Sequence, residues 1–273
     1  MTDFYPKAIT IAGSDPSGGA GIQADLKTFC AFEVYGAAAL TALTAQSTQG
    51  VAGAHYLPLE FFALQLETVL DDIEFHAGKT GMLADADIIH ALSEVLERHP
   101  LPNLVVDPVM TSKHGAPLLA PEANQALAEK IFPKAAIVTP NLHEAGRLTG
   151  RLVRDRDEML EAAKRIHGMG PQYVLIKGGH LSGTNIALDL LWDGSEAMEF
   201  ERPRLDATHT HGTGCTLSAA LAANLALGRS MEAAVAIAKD FVHSAIRAGY
   251  PIGKGIGPVD HLWQFPQKHR MGR

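Results

Sequence analysis

Short apolar runs alternate with segments of helical periodicity along most of this 273-residue chain, and this alternation constrains its fold more than any other feature. Ala8–Ala12 precedes a Gly-rich loop and a predicted helix over Ile22–Phe32, and Ala136–Thr139 precedes a helix that opens at Asn141. Because such runs are typical of strands buried on both faces, the pattern predicts an α/β fold with a mostly parallel sheet covered on both sides. The chain has no evident linker or internal repeat, so we predict a single domain over residues 1–273.

The other predicted elements follow the same periodicities. Strands are predicted at Ala37–Thr44, Leu104–Val106 and Tyr173–Lys177, and Ala77–Gly81 is predicted to be a strand end or loop. Helices are predicted at Leu59–Asp71, Asp85–Arg98, Pro121–Ile131, Asp157–Met169, Cys215–Leu227 and Met231–Ala248. Ile186–Trp192 and Ala197–Arg202 flank Asp193-Gly194, which predicts a hairpin. In sheets of this class ligands bind beyond the carboxyl ends of the strands, so residues that follow a strand are the first candidates for chemistry.

Composition excludes several classes of function. The formal net charge of −7 argues against a surface for nucleic acid or acidic membrane, because such surfaces need a basic patch. No apolar run reaches the length of a membrane span, and the first residues lack the segments of a signal peptide. Cys30 and Cys215 are far apart and indicate no disulfide framework. We therefore expect a cytoplasmic protein that binds neither nucleic acid nor membrane.

A Gly-rich turn at His211–Cys215 runs directly into an Ala/Leu-rich helix. The free N–H groups of a helix start, together with the positive end of its dipole, favour an anion such as phosphate. In the first turn this dipole is expected to lower the thiol pKa of Cys215 and make it a proton acceptor. The pattern is equally compatible with a tight turn before a buried helix, in which Cys215 is a small core residue.

Polar residues follow three of the predicted strands. Asp107 follows one of them and can hold Mg²⁺ through water, although it also suits a turn beside a proline. Lys177 ends another before two glycines, where it can meet a phosphate as a point charge or lie solvated in a turn. Asn141 and Glu144 have the spacing of an N-cap and its reciprocal glutamate, which would explain both without a ligand.

The first loop offers a different interpretation. Gly19–Ala24 fits the G-x-G-x-x-A pattern of dinucleotide-binding folds between a strand and a helix. That fingerprint also needs an acid at the end of the second strand to hold the ribose. The second predicted strand runs into Thr44-Ala45-Gln46, which has no acid. An NAD-binding oxidoreductase is therefore kept only as a minor alternative.

Taken together, an ordered set of motifs resembles the hydroxymethylpyrimidine/phosphomethylpyrimidine kinases of thiamine biosynthesis. The motifs are Ala12-Gly13-Ser14-Asp15-Pro16-Ser17-Gly18-Gly19-Ala20-Gly21-Ile22-Gln23-Ala24-Asp25, Thr44-Ala45-Gln46-Ser47-Thr48-Gln49-Gly50-Val51, Val106-Asp107-Pro108-Val109-Met110, Thr139-Pro140-Asn141, Lys177-Gly178-Gly179-His180 and His211-Gly212-Thr213-Gly214-Cys215. Each motif is weak by itself, but their order over nearly the whole chain is specific. The set is also typical of the ribokinase-like superfamily, which includes pyridoxal kinases.

The resemblance implies a ribokinase-like three-layer α/β/α sandwich. It implies ATP-dependent phosphorylation of 4-amino-5-hydroxymethyl-2-methylpyrimidine and then of its monophosphate to the diphosphate, with Mg²⁺ and in a homodimer. A pyridoxal kinase is the first alternative, because it would share the fold and the nucleotide site. A non-catalytic pyrimidine-binding protein is a further alternative.

The resemblance also implies roles for individual residues. Cys215 would be the catalytic base, and Gly212, Thr213 and Gly214 would complete an anion hole with it. The residues implied for the pyrimidine are Gly13, Asp25, Gln46, Met82 and Val109; those for ATP are Asn141, Lys177, Thr213 and Lys239; those for Mg²⁺ are Asp107 and Glu144.

Two further points bear on substrate choice and closure. Ser47 replaces the asparagine that is usual after the Ala-Gln pair, which affects only fine substrate preference because both side chains form hydrogen bonds. The polar loop Thr111–Pro117, which contains Gly115, is a candidate lid.

Overall fold

A nine-stranded sheet forms the centre of the computed structural model, which describes residues 5–110, 123–179, 181 and 185–266. Its strands are β1 (Lys7–Ser14), β2 (Tyr35–Ser47), β3 (Gly50–Tyr56), β4 (Ala77–Thr80), β5 (Leu104–Val106), β6 (Ile137–Val138), β7 (Tyr173–Gly178), β8 (Ile186–Trp192) and β9 (Ala197–Pro203). Their order across the sheet is β3-β2-β1-β4-β5-β6-β7-β8-β9.

The helices are α1 (Gly21–Ala31), α2 (Leu59–Asp72), α3 (Ala86–Arg98), α4 (Ala123–Ala126), α5 (Leu142–Thr149), α6 (Arg156–His167), α7 (Thr213–Ala226) and α8 (Met231–Arg247). Helix α4 continues into a π-helical turn at Leu127–Ile131 and a 3₁₀ turn at Phe132–Lys134. Among the helices of the described residues, none combines the length and the apolarity needed to cross a bilayer.

The central strands are parallel, from β2 through β1, β4, β5 and β6 to β7. Antiparallel strands border them, with β3 on one side and the β8–β9 hairpin on the other. Parallel strands end at the same edge of a sheet, so the loops that follow β1, β2, β4, β5, β6 and β7 converge there. The predicted α/β fold and the predicted hairpin are confirmed.

Two hydrophobic cores lie on opposite faces of the sheet, because successive strand residues point to opposite sides. In β5, Leu104 and Val106 join the core that holds Phe62 and Ile89, from α2 and α3. Val105 joins the other core. That second core contains residues of α1, α7 and α8, so helices cover both faces.

Helix α7 is buried on every side, which positions the Gly-rich turn before it. It contacts α1, α8 and the strands β1, β4 and β5. Its residues from Thr216 to Ala226 are all buried, and most are alanine or leucine. A helix that is apolar all round belongs inside a protein. Its start therefore projects from the core toward the carboxyl edge of the sheet.

The structure differs from the sequence prediction in two elements. Strand β3 was not predicted, because its residues are mostly small, exposed and without alternating polarity. The predicted helix over Pro121–Ile131 begins outside the described residues, and its described part changes from an α-helix to a π-helix. The candidate lid Thr111–Pro117 also lies outside the described residues.

Candidate active site

A cavity of about 540 Å³ opens at the carboxyl edge of the sheet, between the strand ends and the start of α7. This volume lies in the range of small-molecule sites. The predicted site residues that line it are Gly13, Gln46, Met82, Asp107, Val109, Asn141, Glu144, Lys177, Gly212, Thr213, Gly214, Cys215 and Lys239. Residues from distant parts of the sequence thus meet in one place.

Asp25 is the predicted site residue that does not line this cavity. Its side chain is fully buried in α1, where Oδ2 accepts hydrogen bonds from Lys79 Nζ at 2.7 Å and Thr10 Oγ1 at 2.6 Å. Burial raises the pKa of Asp25, although the charge of Lys79 opposes this shift. Of this pair, Lys79 lines the cavity and Asp25 does not.

The turn before α7 depends on a glycine. Gly212 is the N-cap, with φ of 81°, and a Cβ there would lie 1.8 Å from the carbonyl oxygen of Gly19. Only glycine combines this left-handed conformation with so close an approach. Within the described part of the chain, the N–H groups of Gly214 and Cys215 have no acceptor. Free N–H groups at a helix start are the donors that the predicted anion hole requires.

The prediction of a lowered thiol pKa at Cys215 is wrong. Burial raises its pKa to about 11, although Lys79 and the backbone N–H of Gly21 act in the opposite direction. The helix dipole is a weak effect compared with the loss of hydration around a thiolate. Cys215 therefore holds its proton at neutral pH.

Lys177 and Asp107 form an ion pair at the wall of the cavity, with Nζ 2.9 Å from Oδ1. The other carboxylate oxygen of Asp107 accepts a hydrogen bond from Ser218 Oγ at 3.2 Å. Burial alone would lower the pKa of Lys177, but Asp107 and Glu144 raise it above its ordinary value. The lysine is therefore charged, and it lines the cavity directly.

Asn141 and Glu144 form the capping box of α5 that their spacing predicted. The Asn141 side chain accepts from the Glu144 N–H at 2.9 Å, and Glu144 Oε2 accepts from the Asn141 N–H at 2.8 Å. Both residues also line the cavity, so the structural role does not remove them from the site. Burial raises the pKa of Glu144 to about 7, with nearby Asp107 adding to the shift and Lys177 opposing it.

Lys239 lies at the other end of the cavity and is paired with Asp189 at 2.7 Å. The second oxygen of Asp189 accepts a hydrogen bond from the Gly178 N–H at 3.1 Å. Asp189 thus joins the end of β7 to α8 and holds the lysine toward the cavity. The sequence analysis singled out Lys239 but not its partner.

His211, Asp15 and Lys79 line the cavity although the sequence analysis assigned them no role. His211 Nε2 lies 2.8 Å from Asp15 Oδ2 and 3.3 Å from the Gln46 side-chain amide. His211 belongs to the Gly-rich motif and Asp15 to the first loop, so both motifs carried the signal. Their pairing spans 196 positions of sequence, and no local spacing reveals it.

The glycines of the first loop serve internal packing. A Cβ at Gly19 would lie 2.5 Å from His211 Cδ2, and one at Gly21 would lie 2.4 Å from the carbonyl oxygen of Gly13. The dinucleotide fingerprint instead uses its glycines to admit a pyrophosphate. The resemblance of Gly19–Ala24 to that fingerprint therefore has a different physical basis here.

The carboxylates of Asp107 and Glu144 fit a magnesium ion that also binds substrate phosphates. Among the described residues, no group of three or more His, Cys, Asp or Glu side chains could hold a metal by itself. Mg²⁺ usually takes one or two carboxylates and completes its shell with water and phosphate oxygens. A buried carboxyl with a raised pKa beside a second carboxylate is a position where a cation is favoured.

Comparisons with known proteins agree with this geometry. The family model described as phosphomethylpyrimidine kinase matches residues 15–260. The hydroxymethylpyrimidine/phosphomethylpyrimidine kinase of Streptomyces coelicolor is 50% identical over 258 residues, which cover 94% of this chain and 95% of that protein.

Solved structures are similar over most of the chain as well. An ADP complex of Bacillus subtilis pyridoxal kinase has a TM-score of 0.89 at 43% identity and covers 96% of this chain and 99% of that one. Phosphomethylpyrimidine kinase from Clostridium difficile has a TM-score of 0.79 at 42% identity, with coverage of 88% and 99%.

Proposed function

The chain belongs to the phosphomethylpyrimidine kinase family, and on this premise we propose that it transfers phosphoryl groups from ATP to an aminopyrimidine. The first acceptor is the hydroxyl of 4-amino-5-hydroxymethyl-2-methylpyrimidine, and the second is the resulting monophosphate, in thiamine biosynthesis. The observation that carries the proposal is the single cavity wall shared by the helix start at Gly212–Cys215, the Lys177–Asp107 pair and Gln46. We propose that residues 1–273 form one kinase domain.

The phosphate end of the cavity supplies positive potential in a protein of net charge −7. Phosphoryl transfer needs positioning and charge stabilisation more than covalent chemistry. The free N–H groups of Gly214 and Cys215 donate to phosphate oxygens, and Lys177 adds a point charge. Thr213 lies beside them and fixes the turn, since its hydroxyl donates to Thr210 O at 2.7 Å. Asn141 and Lys239 bind other parts of ATP.

Asp107 and Glu144 would hold magnesium, which would neutralise charge on the phosphates. The buried carboxyl of Glu144, with its pKa of about 7, is the group whose ionisation such a cation favours. The chain's own contribution is to keep both carboxylates fixed, Glu144 through the capping box and Asp107 through Ser218 and Lys177.

The acceptor end of the cavity holds the pyrimidine ring. Gln46 provides hydrogen-bond donors and acceptors for an exocyclic amine and a ring nitrogen. Met82 and Val109 provide apolar contact, and Gly13 lets Met82 pack closely, since a Cβ at Gly13 would lie 2.6 Å from Met82 Cε. Asp25 acts from beneath this surface, through Lys79.

Cys215 takes the proton of the acceptor hydroxyl. With a pKa of about 11, its thiolate is a minor form at neutral pH, but a strong base when it forms. The second acceptor is a phosphate, which is already mostly ionised near neutral pH because its second pKa is about 6. The alcohol step therefore depends on Cys215 more than the phosphate step does.

The test of the whole proposal is ADP release from Mg-ATP with three acceptors side by side: the hydroxymethylpyrimidine, its monophosphate and pyridoxal. We expect turnover of both pyrimidines and poor turnover of pyridoxal. Turnover of pyridoxal alone would favour the second candidate function, that of a pyridoxal kinase. A solved pyridoxal kinase is 43% identical to this chain. No turnover with any acceptor would favour a pyrimidine-binding protein without catalysis.

The role of Cys215 is tested with Cys215→Ala and the same two pyrimidine acceptors. We expect the loss of kcat/KM to be larger for the alcohol, by about tenfold or more. In the wild type, kcat/KM for the alcohol should rise from pH 7 to pH 9, because the deprotonated thiol is the active form, and this rise should vanish in the variant. Equal losses for both acceptors would show that Cys215 positions groups and is not a base.

We also propose a homodimer located in the cytoplasm. Leu43 and Tyr56, on the neighbouring strands β2 and β3, and Phe61 and Leu64, on α2, are large apolar side chains that are exposed. Exposed apolar groups of this size in one region are typical of an interaction surface. Sedimentation of the wild type and of Phe61→Glu distinguishes a dimer through this surface from a monomer.

A further inference from the structure

Buried His211 lies between Asp15 and Gln46 at the acceptor end of the cavity. The backbone fixes it on both sides, since its N–H donates to Gly257 O at 3.1 Å and its carbonyl accepts from the Val259 N–H at 3.2 Å. Its ring packs on Gly19, where a Cβ would lie 2.5 Å from Cδ2. The imidazole is therefore held in one place, and its hydrogen bonds have a defined direction.

Asp15 determines which nitrogen of His211 carries a proton. The carboxylate accepts from Ser17 N at 2.9 Å, Ser17 Oγ at 2.7 Å and Ala20 N at 2.8 Å. His211 Nε2 lies 2.8 Å from the same carboxylate and must donate to it, because an ionised carboxylate only accepts. Within the described residues His211 Nδ1 has no partner, so a lone pair there leaves no buried N–H unpaired.

The proton on Nε2 in turn determines how the Gln46 amide is oriented. The amide nitrogen as assigned faces Nε2 at 3.3 Å, which would oppose two donors. At its other end the amide oxygen faces Thr44 Oγ1 at 3.4 Å, yet that hydroxyl already donates its one proton to Ser14 O at 2.8 Å. Exchanging the oxygen and nitrogen of the amide removes both conflicts. The amide oxygen then accepts the longer arm of a three-centre hydrogen bond from the Nε2–H, whose shorter arm goes to Asp15, and the amide nitrogen donates to Thr44 Oγ1.

We propose that His211 and Asp15 are positioning residues that fix the Gln46 amide, and so determine which acceptor ring the cavity selects; this rests on the proposed function. With its oxygen on His211 and its nitrogen on Thr44, Gln46 has one N–H and one lone pair left, side by side. That pair matches a ring nitrogen next to an exocyclic amine, as glutamine matches the edge of adenine. A pyridine with no polar group beside its ring nitrogen satisfies only one of the two.

Two variants of His211 separate a hydrogen-bonding role from a packing role. His211→Gln keeps an N–H donor at about the position of Nε2 but loses the ring, whereas His211→Phe keeps the ring and loses the donor. The readout is the ratio of kcat/KM for the aminopyrimidine to that for the same pyrimidine without its amino group. KM for ATP is measured in parallel because His211 adjoins the Gly212–Cys215 turn, and the ratio between two acceptors cancels any effect on ATP binding that both acceptors share.

We expect the ratio to fall about tenfold in His211→Phe and to stay within about threefold of the wild type in His211→Gln, since one oriented hydrogen bond is at stake. A ratio that survives in His211→Phe overturns the proposal, and so does an equal loss in both variants, which would indicate packing alone.

A second measurement does not depend on turnover. ¹⁵N chemical shifts of the imidazole in the wild type, assigned by the signal that His211→Gln removes, report the tautomer directly. We expect a neutral ring with its proton on Nε2. A proton on Nδ1 overturns the proposal even if the enzyme phosphorylates the pyrimidine. If the wild type has no activity on the pyrimidine, the proposed function fails while the tautomer is still tested.

Discussion

Two lysine–aspartate pairs lie about the same cavity and differ in their access to it. Lys79 and Asp25 are both fully buried, with side chains 0% exposed, whereas Lys177 and Asp107 are 14% and 2% exposed. The N–O distances, 2.7 and 2.9 Å, are nearly equal. The difference lies in the surroundings. Lys177 lines the cavity with part of its side chain exposed, whereas Lys79 reaches the cavity wall with no exposed surface and Asp25 does not line the cavity. We expect Lys177 to exchange Asp107 for a phosphate oxygen. We expect the Lys79–Asp25 pair to support the wall of the cavity from below, and we call it the floor of the cavity.

The hydrogen bonds around the two aspartates reinforce this contrast. Both oxygens of Asp107 have partners, from Lys177 on one and Ser218 on the other. Asp25 has Lys79 and Thr10 on one oxygen, and among the described residues its other oxygen has no partner. A buried pair of this kind contributes little net stability, but breaking it leaves an uncompensated charge.

The largest expected effect is on the buried pair. Lys79→Met leaves Asp25 unpaired inside the protein and should lower the free energy of unfolding by about 3–5 kcal/mol at pH 8. Urea unfolding measures this loss. The double variant Lys79→Met with Asp25→Leu removes both charges and should be more stable than Lys79→Met alone. A single variant within about 1 kcal/mol of wild type would contradict the assignment of this pair to the floor.

The same substitution in the Lys177–Asp107 pair, which we call the open pair because it is partly exposed to the cavity, should lower activity. Lys177→Met removes a charge from the phosphate end, and kcat/KM should fall about 10²–10³-fold, as when a preorganised electrostatic group is lost. Its unfolding free energy should fall less than that of Lys79→Met. Lys130→Met, at an exposed lysine, is the matched control. Near-normal activity of Lys177→Met would remove the lysine from the phosphate site.

A glycine lies beside each lysine–aspartate pair, so a Gly→Ala substitution places one methyl group next to that pair. A Cβ at Gly81 would lie 3.0 Å from Lys79 Nζ and from Ala12 Cβ, so Gly81→Ala should cost about 1–3 kcal/mol of stability through overpacking. A Cβ at Gly214 meets Asp107 Oδ2 at 3.6 Å and Lys177 Nζ at 3.7 Å, which are ordinary contacts. Gly214→Ala should therefore keep the fold and lose activity, because the methyl group occupies the approach to the N–H groups.

Thermal unfolding and kcat/KM are measured for both glycine variants. Near-normal activity of Gly214→Ala would contradict the assignment of Gly214 to the anion hole. The comparison between the two pairs fails equally if Gly81→Ala is as stable as the wild type.

The smallest effect concerns the ionisation of Glu144 beside the open pair. Its pKa is raised from 4.5 to about 7, so the folded protein binds this proton more tightly than the unfolded chain does. The contribution to stability is therefore complete below the unfolded pKa and is lost as the pH rises through 7. Without divalent cations, the unfolding free energy should fall by about 1–2 kcal/mol from pH 6 to pH 8 on this account.

Glu144→Gln is the control for that pH dependence. Glutamine stays neutral and still suits the reciprocal position of a capping box. The difference in unfolding free energy between wild type and variant should therefore change over pH 6–8 with the stated sign. A difference that is constant across this range would show that Glu144 is already ionised there.

The sequence was informative where chemistry follows a strand. Asp107, Asn141 and Lys177 each come at the end of a predicted strand, and parallel strands bring such ends together, so their meeting in one cavity was predictable. The α/β alternation was predictable for the same reason. Strand β3 escaped prediction because an exposed edge strand of small residues has no apolar period.

What the sequence did not reveal depends on burial and on distant partners. Lys79 lies in a short run of small residues that suggested a strand end or loop, and nothing local indicates that its partner is Asp25 in α1. The pairing of His211 with Asp15 is hidden in the same way. The thiol pKa of Cys215 follows from the packing around it, which a helix-start pattern cannot convey.

The alanines of α7 have a mechanical consequence. Ala219, Ala220, Ala222 and Ala223 are 0% exposed, and a methyl side chain has no rotamers with which to absorb a displacement. A displacement in the middle of α7 is therefore transmitted along the helix axis to its start. Ala220 lies roughly 9 Å from Gly214 at a rise of 1.5 Å per residue. A larger side chain in this layer would displace α7 and shift the Gly212–Cys215 turn, where we propose that phosphate binds.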